Sequence, residues 1–344
     1  MMIGKEKLGA GGNGFSWKEM IAKYQKPDAL RSWWQVINSL GPYIMLWALM
    51  VLSLRVSYWL TLLLAIPTAG FMVRVFIIFH DCGHGSFFKS KRLNDAIGII
   101  TGIITFTPYY AWRRNHAVHH ATVGNLDKRG TGDVMTLTVD EYLALPFWRK
   151  IAYRVMRNPF ILLTVGSLGV FLIGHRFVEK DAGKKERLSV IWTNLALLGI
   201  IILFSLTIGF KAFVLVQLPI LALGTSAGVW LFYIQHQFEG VYWERNDRWD
   251  FLEAALQGSS FYKLPKVLQW FTGNIGFHHI HHVSPRIPNY YLESCHNDVP
   301  LFQQVKPLTL WGSTRSLFVR LWDEEKRKLV NFADIRKLPR QDIA

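Results

Sequence analysis

The sequence predicts an all-α integral membrane protein with four transmembrane helices in two hairpins, two short interfacial or re-entrant helices, and a cytosolic helical cap. Three observations lead to this fold class: long apolar runs, a one-sided distribution of positive charge, and histidine clusters at the ends of apolar runs. The chain is 51% hydrophobic, yet it carries 39 Lys and Arg against 24 Asp and Glu. This combination indicates membrane spans joined to a basic polar face.

The apolar runs differ in length, and they lie at 36–54, 58–79, 96–110, 159–173, 190–210 and 212–234. Four runs approach or exceed the ~20 residues that a helix needs to cross a bilayer, whereas the third and fourth are short. We expect the short pair to lie in the interface or to re-enter the membrane. If all histidine clusters share one site, an even number of crossings must separate them, and two hairpins provide this.

Positive charge is nearly absent from one side of the predicted hairpins. The loop between the first two spans offers only Arg55, and the loop between the last two offers only Lys211. The positive-inside rule therefore places both termini and all histidine clusters in the cytosol, in a protein of the cytoplasmic membrane. The two cysteines, Cys82 and Cys295, indicate no disulfide framework, as expected for a cytosolic face.

The formal net charge of +15 raises the question of a nucleic-acid partner. No recognition motif accompanies the charge, so we expect no nucleic acid and instead anionic lipid headgroups or an acidic protein. We expect a single domain over 1–344, with residues 1–30 as a flexible N-terminal tail and 330–344 as a C-terminal tail. A glycine pattern at 9–14 matches the dinucleotide fingerprint, but no apolar strand precedes it, so we interpret it as part of the tail.

The histidines occur in three clusters with the spacing of helical metal ligands: His80 and His84; His116, His119 and His120; His278, His281 and His282. Positions i, i+3 and i+4 lie close together on a helix surface, so each cluster presents its rings as a ligand set. Imidazole suits Zn, Cu, Fe and Ni, and eight imidazoles exceed what one ion accepts. The sequence therefore predicts two metal ions, with iron as the redox-capable candidate.

The remaining histidines need separate interpretation. His236 follows the last span at the level of the clusters, where an interfacial side chain and a metal ligand are both possible. The spacing of the third cluster leaves His279 on another helix face, as a spectator. His175 and His296 lack partners at ligand spacing and are expected to be structural. Asp81 is placed to accept a hydrogen bond from a ligand imidazole.

These clusters and their flanking segments resemble the membrane fatty acid desaturases, specifically the bacterial acyl-lipid branch. The similarity covers roughly residues 30–330. It extends beyond the histidines into the segments 79–88, 120–133, 235–239, 258–265 and 273–290.

The resemblance implies that the eight clustered histidines ligate a non-haem di-iron centre in the cytosolic cap, with His236 as the ninth ligand. Asp81 and Glu239 are expected beside these ligands. In animal stearoyl-thioester desaturases an asparagine one turn before the equivalent of His236 assists one iron, whereas Phe232 occupies that position here.

The resemblance also implies the reaction: O2 and two electrons introduce a cis double bond into a C16 or C18 acyl chain of membrane lipid. The chain contains no His-Pro-Gly-Gly haem-binding segment and no recognisable flavin or nicotinamide fold, so the electrons are expected from ferredoxin or flavodoxin. We favour the delta-5 position and keep delta-12 and delta-9 open, because a one-carbon shift changes tunnel depth by only about 1.3 Å.

Two alternatives remain at this stage. A histidine-rich di-iron hydroxylase or a carotenoid ketolase would share the cofactor and the membrane. A metal transporter would carry its site near the bilayer midplane rather than at helix ends.

Overall fold

The computed structural model describes residues 16–335; residues 1–15, which include the glycine pattern, and residues 336–344 lie outside the described residues. The described chain is mostly helical, which confirms the predicted fold class. In chain order the helices are α1 (Trp17–Ala22), α2 (Ala29–Ser53), α3 (Tyr58–His84), α4 (Lys91–Ile104), α5 (Tyr109–Thr122), α6 (Val139–Ala144), α7 (Phe147–Met156), α8 (Pro159–Ile161), α9 (Ser167–Leu172), α10 (Lys184–Thr207), α11 (Phe210–His236), α12 (Phe251–Gln257), α13 (Lys266–Phe271), α14 (His278–Val283), α15 (Asn289–Asp298), α16 (Pro300–Gln303), α17 (Leu310–Ser313) and α18 (Phe332–Ile335).

The four predicted spans correspond to α2, α3, α10 and α11, each of which is long and apolar enough to cross a membrane. Short turns join α2 to α3 and α10 to α11, so the spans form two hairpins as expected. A fifth segment, Pro159–Arg176, also satisfies the length and hydropathy requirements. This segment contains the fourth apolar run, which the sequence analysis expected to be interfacial or re-entrant.

The contacts of Pro159–Arg176 show that both of its ends lie on the histidine side. Just before it, Arg157 donates a hydrogen bond to Gln237 (2.9 Å), which follows His236 in the chain. Just after it, Glu179 accepts a hydrogen bond from Asn115 (2.6 Å), which precedes His116. A segment that starts and ends on one side does not cross, so these contacts favour the re-entrant interpretation.

The third apolar run lies in a short hairpin that consists of α4 and α5. The 14 residues of α4 span about 21 Å, less than the ~30 Å of a bilayer core. A Cβ on Gly98 would lie 2.2 Å from the ring of Tyr109, so the absence of a side chain at Gly98 allows α5 to pack closely on α4. The Tyr109 hydroxyl donates to the Cys82 carbonyl (2.7 Å), which fixes the start of α5 against the end of α3.

Helix α3 lies at the centre of the bundle, packed against α2, α4 and α11. Gly224 of α11 permits the close approach, since a Cβ there would lie 3.1 Å from the sulfur of Met72. Arg74, inside α3, is only 6% exposed; it donates to the Trp270 carbonyl, and its guanidinium lies 3.9 Å from the Trp270 ring centroid. These contacts join α13 to α3. They also stabilise the buried guanidinium of Arg74, whose charge is costly in an apolar environment.

The cap contains two small sheets that the sequence did not predict. Their strands are β1 (Leu137–Thr138), β2 (Phe261–Lys263), β3 (Pro307–Thr309), β4 (Leu321–Asp323) and β5 (Lys328–Val330). β4 pairs parallel with β1 and antiparallel with β5, and β2 pairs parallel with β3. Strands of two or three residues are too short to show a period of two, so such pairings leave no pattern in the sequence.

The tails are shorter than expected. A capping box of Ser16 and Glu19 begins α1, and Ile21 and Tyr24 are buried in the core cluster that includes residues of α14 and α15. Lys23 forms a salt bridge with Asp298 (2.7 Å). Residues 16–30 are therefore held by contacts with residues that are distant in the chain. Such contacts leave no signal in the local composition. At the other end, α18 extends the ordered chain beyond residue 330.

Candidate metal centre

Four helix ends or short helices bring the predicted histidines together. The last turn of α3 carries His80 and His84, and α11 ends at His236. The other six histidines lie on α5 and α14. At the end of α3, Gly85 adopts a left-handed conformation (φ 68°) and its amide bonds back to the last turn, which stops the helix just after His84.

The nine histidines form two groups, and the ligating nitrogens of each group lie within 4.8 Å of one another. The five-histidine group contains His80, His84, His116, His120 and His281, and the four-histidine group contains His119, His236, His278 and His282. All nine are buried except His84, which is partly exposed. The structure thus brings together every residue that the sequence analysis proposed as a ligand, His236 included.

The two H-x-x-H-H clusters divide their histidines in a reciprocal way. On α5 the i and i+4 residues join the five-histidine group, and His119 joins the other; on α14 the i and i+4 residues join the four-histidine group, and His281 joins the other. At about 100° per residue, the i+4 side chain lies about 40° to one side of the first, and the i+3 side chain lies about 60° to the opposite side. Each cluster therefore contributes to both groups.

Hydrogen bonds on the outer nitrogens fix the inner nitrogens as acceptors. His236 Nδ1 donates to the Gly258 carbonyl (3.0 Å), and His119 Nδ1 donates to Asp133 (2.5 Å). Neutral rings held in this way have no proton on Nε2. Their Nε2 atoms nevertheless face each other at 3.1 Å. Two facing lone pairs repel unless a cation lies between them, so this donor set fits a metal ion.

Burial keeps the cap histidines neutral. It lowers the pKa of His120 well below its ordinary value, and neighbouring imidazoles lower that pKa further. The pKa values of His116, His278, His281 and His282 are lowered in the same way, again first by burial. Because a metal binds the neutral imidazole, these side chains are in the ligating form at neutral pH.

Asp81 lies beside His80, at the end of α3. One carboxylate oxygen accepts from His80 Nδ1 (3.1 Å), and the other accepts from the Asn289 backbone and side-chain amides (2.7 and 2.9 Å). Asn289 in turn accepts from Gln35 (3.0 Å). The orientation of His80 is thus tied to α2 and to the start of α15.

Asp133 holds the corresponding position beside the four-histidine group, and the sequence analysis did not identify it. It follows Gly132, whose positive φ (70°) turns the chain so that the loop lies against His119 and Asn115. Asp133 lies 14 positions after His119 in the chain, beyond the end of α5. Asp133 ends the segment 120–133, one of the segments on which the family resemblance rests, and this position was the sequence signal that could have identified it.

Glu239 does not lie beside the ligands, and the expectation for it was wrong. Its side chain is 81% exposed, and its nearest cationic partner is Arg315 at 3.8 Å. The chain leaves the α11 axis at Gln237 (φ −128°, ψ 77°), so Glu239 points away from the site while Gln237 is buried. The backbone carbonyl of Gly258 takes the role at His236 that was expected of a carboxylate.

The three other histidines of interest remain outside both groups. His279 is fully buried among aromatic rings, 5.5 Å from the Phe261 centroid and 5.9 Å from that of Phe302. His296 packs on Phe261 (4.5 Å), and His175 approaches the Phe106 carbonyl (3.3 Å). Their positions agree with structural roles.

Aromatic side chains border the groups. Trp112 stacks on His116 with ring centroids 4.3 Å apart; it fits because Gly83 has no Cβ, which would lie 2.9 Å from the Trp112 ring. Phe232 lies 5.3 Å from the His119 ring and 5.8 Å from the His236 ring. Phe76 packs edge-on against Trp112 (5.8 Å). All three aromatic residues are half-buried, so apolar surface is available next to the candidate ligands.

Comparison with known proteins identifies the family. The family profile described as fatty acid desaturase matches residues 57–310. A fatty acid desaturase of Bacillus subtilis (strain 168) is 49% identical over 321 residues, 93% of this chain and 91% of the relative. An sn-1 oleoyl-lipid 12-desaturase of a Synechocystis strain is 26% identical over 289 residues, 79% of this chain and 76% of the relative.

A third relative is named for its electron donor. The sn-1 acyl-lipid omega-3 desaturase (ferredoxin) of a Nostoc strain is 28% identical over 232 residues, 63% of this chain and 61% of the relative. The profile matches well over half of the chain, and the Bacillus relative matches nearly all of it, so the chain belongs to the fatty acid desaturase family.

Proposed function

We propose that this protein is a membrane acyl-lipid desaturase that introduces a cis double bond into a C16 or C18 chain of a membrane lipid. The observation that carries the proposal is the pair of histidine groups at the ends of apolar helices, in a chain of the desaturase family. The net reaction removes two hydrogens from adjacent carbons and consumes O2, two electrons and two protons to form two waters. Two bound iron ions would supply the O2 activation that breaks the unactivated C–H bonds.

The spacing of the nitrogens supports a metal ion in each group. Adjacent Nε2 atoms in the five-histidine group, such as those of His80 and His116, are 3.0–3.1 Å apart. The five-histidine group would hold one ion and the four-histidine group the other; among the metals that imidazole suits, iron would supply the redox chemistry that the reaction needs.

The aromatic residues beside the groups give the acyl chain a place to lie. Trp112 and Phe76 are half-buried on the side of the five-histidine group, and Phe232 borders the four-histidine group. We propose that these rings exclude water and position a methylene pair against the site, which is where an entropic contribution to the rate arises. In this role Phe232 replaces the asparagine of the animal enzymes with an apolar wall.

The product analysis tests the function. When the protein is expressed in a host that makes only saturated lipids, we expect new cis-monounsaturated C16 or C18 chains still esterified to membrane lipid. Mass spectrometry of the intact lipids and of their cleaved chains gives both the lipid class and the bond position. Hydroxy or keto products would show a di-iron oxygenase instead, and desaturation of free thioesters alone would exclude the acyl-lipid class.

The bond position is part of the same experiment. Two of the relatives above are named for position 12 and for the omega-3 position, so they give no support to the delta-5 preference. We retain delta-5, delta-12 and delta-9 as the positions to be distinguished.

We propose that both termini and the histidine groups face the cytosol. Cysteines replacing Val56, which is 77% exposed, and Lys211, also exposed, should react with a membrane-impermeant maleimide in intact cells. A cysteine replacing the exposed Lys128, near Asp133, should react only after the cells are opened. The native Cys82 and Cys295 are buried and provide a low background. Labelling of the cysteine at position 128 in intact cells would contradict the proposed orientation.

We propose an acidic ferredoxin or flavodoxin as the electron donor. Lys128, Arg286 and Lys306 are exposed on the cap and form no salt bridge within residues 16–335. Complementary charge would steer the donor, so the association rate should fall at least about tenfold between low and high ionic strength. Stopped-flow reduction of the purified protein at increasing salt measures this rate. A rate that does not change with salt would contradict electrostatic docking on this face.

A further inference from the structure

A cleft between α4 and α10 is separate from the histidine groups. It has a volume of about 280 Å³, and its apolar lining includes Ile99 and Ile103 of α4, Leu188 and Trp192 of α10, and Tyr110. A second cleft of about 180 Å³ continues deeper and shares Ile103 with the first. Together the two clefts form a groove with an apolar floor that extends along α10 to Leu197 and beyond.

The sequence produces this groove by turning small residues of both helices inward. On α4 the small residue Gly98 faces the Tyr109 ring, which leaves Ile99 and Ile103 to face outward. On α10 the Ser189 hydroxyl accepts a hydrogen bond from the Tyr110 amide (3.0 Å), so α5 packs on that face. The larger Leu188 and Trp192 remain 41% and 66% exposed beside it.

Positive charge is concentrated at one end of the groove. Lys185 lines the mouth, Lys184 adjoins it, and Lys91 and Arg92 begin α4 on the same side. All four are exposed and form no salt bridge within the described part of the chain. Two acidic groups lie near this end: Asp95 is already paired with Arg113 (3.2 Å), and Glu186 follows Lys185 in the first turn of α10, whose N-terminal end favours a negative charge.

The dimensions match one leaflet of a bilayer. Along α10, Lys185 and Leu197 are about 18 Å apart at ~1.5 Å per residue, and half of a bilayer core is about 15 Å thick. Basic pockets between membrane helices on the cytoplasmic side bind anionic headgroups. Tyr110 and Trp192 near the mouth are of the residue types enriched at the membrane surface.

We propose that this groove binds one anionic phospholipid, with its phosphate at Lys185 and one acyl chain over Ile103. The site does not touch the histidine groups, so the inference goes beyond the proposed function and requires no activity measurement. The occupant is a bilayer phospholipid rather than free phosphate, because the greater part of the site is apolar.

Native mass spectrometry of the purified full-length protein tests the proposal. With phosphatidylglycerol and phosphatidylcholine at equal concentration, the wild-type protein should retain about one phosphatidylglycerol per chain in preference to phosphatidylcholine. Lys185→Glu, a change at an exposed residue, should weaken phosphatidylglycerol retention about tenfold. Lys211→Glu, the same change at the first turn of α11, should leave retention unchanged. Ile103→Trp should fill the groove and prevent retention of either lipid.

The opposite results would overturn the proposal. These are equal retention of the two lipids by the wild-type protein, the same loss in Lys185→Glu and Lys211→Glu, or displacement of the lipid by glycerol phosphate, which has no acyl chain. If Ile103→Trp does not fold, the comparison of Lys185→Glu with Lys211→Glu still tests the proposal.

Discussion

Replacing His120 or His281 by alanine should abolish desaturation and remove iron from the protein. His120 Nε2 lies 3.1 Å from His116 Nε2 and 3.0 Å from His281 Nε2, so it is a central member of the five-histidine group. Either change removes one nitrogen from the series of neighbouring Nε2 atoms in this group, so the imidazoles that remain are no longer held around a single ion. We expect the iron content to fall from about two per chain to about one, and lipid desaturation to fall to the background of the host.

A matched control lies on the same short helix. His279 is as buried as His281 but belongs to neither group, so His279→Ala should keep close to two irons if the protein folds. Elemental analysis of detergent-purified proteins that elute as single species measures the difference. The proposed ligand set is wrong if His279→Ala loses iron while His281→Ala keeps it. Zinc as the main metal in freshly prepared active protein would contradict the di-iron proposal.

Replacing Asp133 by alanine should weaken metal binding by the four-histidine group. Its carboxylate accepts from His119 Nδ1, which fixes the tautomer and orientation of the ring; loss of such partners costs about 10- to 100-fold in metal affinity or activity. Asp133 would not touch the metal, so it acts as a positioning residue. Asp133→Asn, which keeps an oxygen acceptor, should recover part of the loss.

The readout that separates this role from general destabilisation is the rate of iron release to a chelator. In Asp133→Ala one of the two irons should leave faster, while the iron of the five-histidine group should leave at the wild-type rate. Glu239→Ala is the matched control, because its carboxylate is 81% exposed and its salt-bridge partner is Arg315 rather than a histidine. Faster release of both irons, or equal effects of the two alanine variants, would show that Asp133 does not orient His119.

Much of the site could be predicted from the sequence because its ligands are a chemically unusual residue type at helical spacing. His80 and His84, for example, recur at i and i+4 directly after an apolar run, and few other roles explain that pattern. Asp81 was recognisable because it lies within the same cluster. Asp133 and Asn289 were not, since each reaches the site from a loop or a different helix and carries no spacing signal of its own.

Glu239 shows the reverse difficulty. It lies close to His236 in sequence and within a segment that resembles the family, yet the chain turns away at Gln237. Spacing along the chain predicts the direction of a side chain only within a helix. Beyond the last helical residue, that direction depends on local dihedral angles. The re-entrant course of Pro159–Arg176, in contrast, was expected from the short length of its apolar run, and the contacts of the flanking Arg157 with Gln237 and of Glu179 with Asn115 favour it.

The sequence by itself determined the number of histidines available and the two long hairpins. These follow from composition and run length, which can be read from single segments. Only the tertiary structure decided how the histidines divide into groups of five and four, and which carboxylates orient them. That division depends on angular offsets of tens of degrees between helices that meet from distant parts of the chain, and periodicity within one segment contains no information about them.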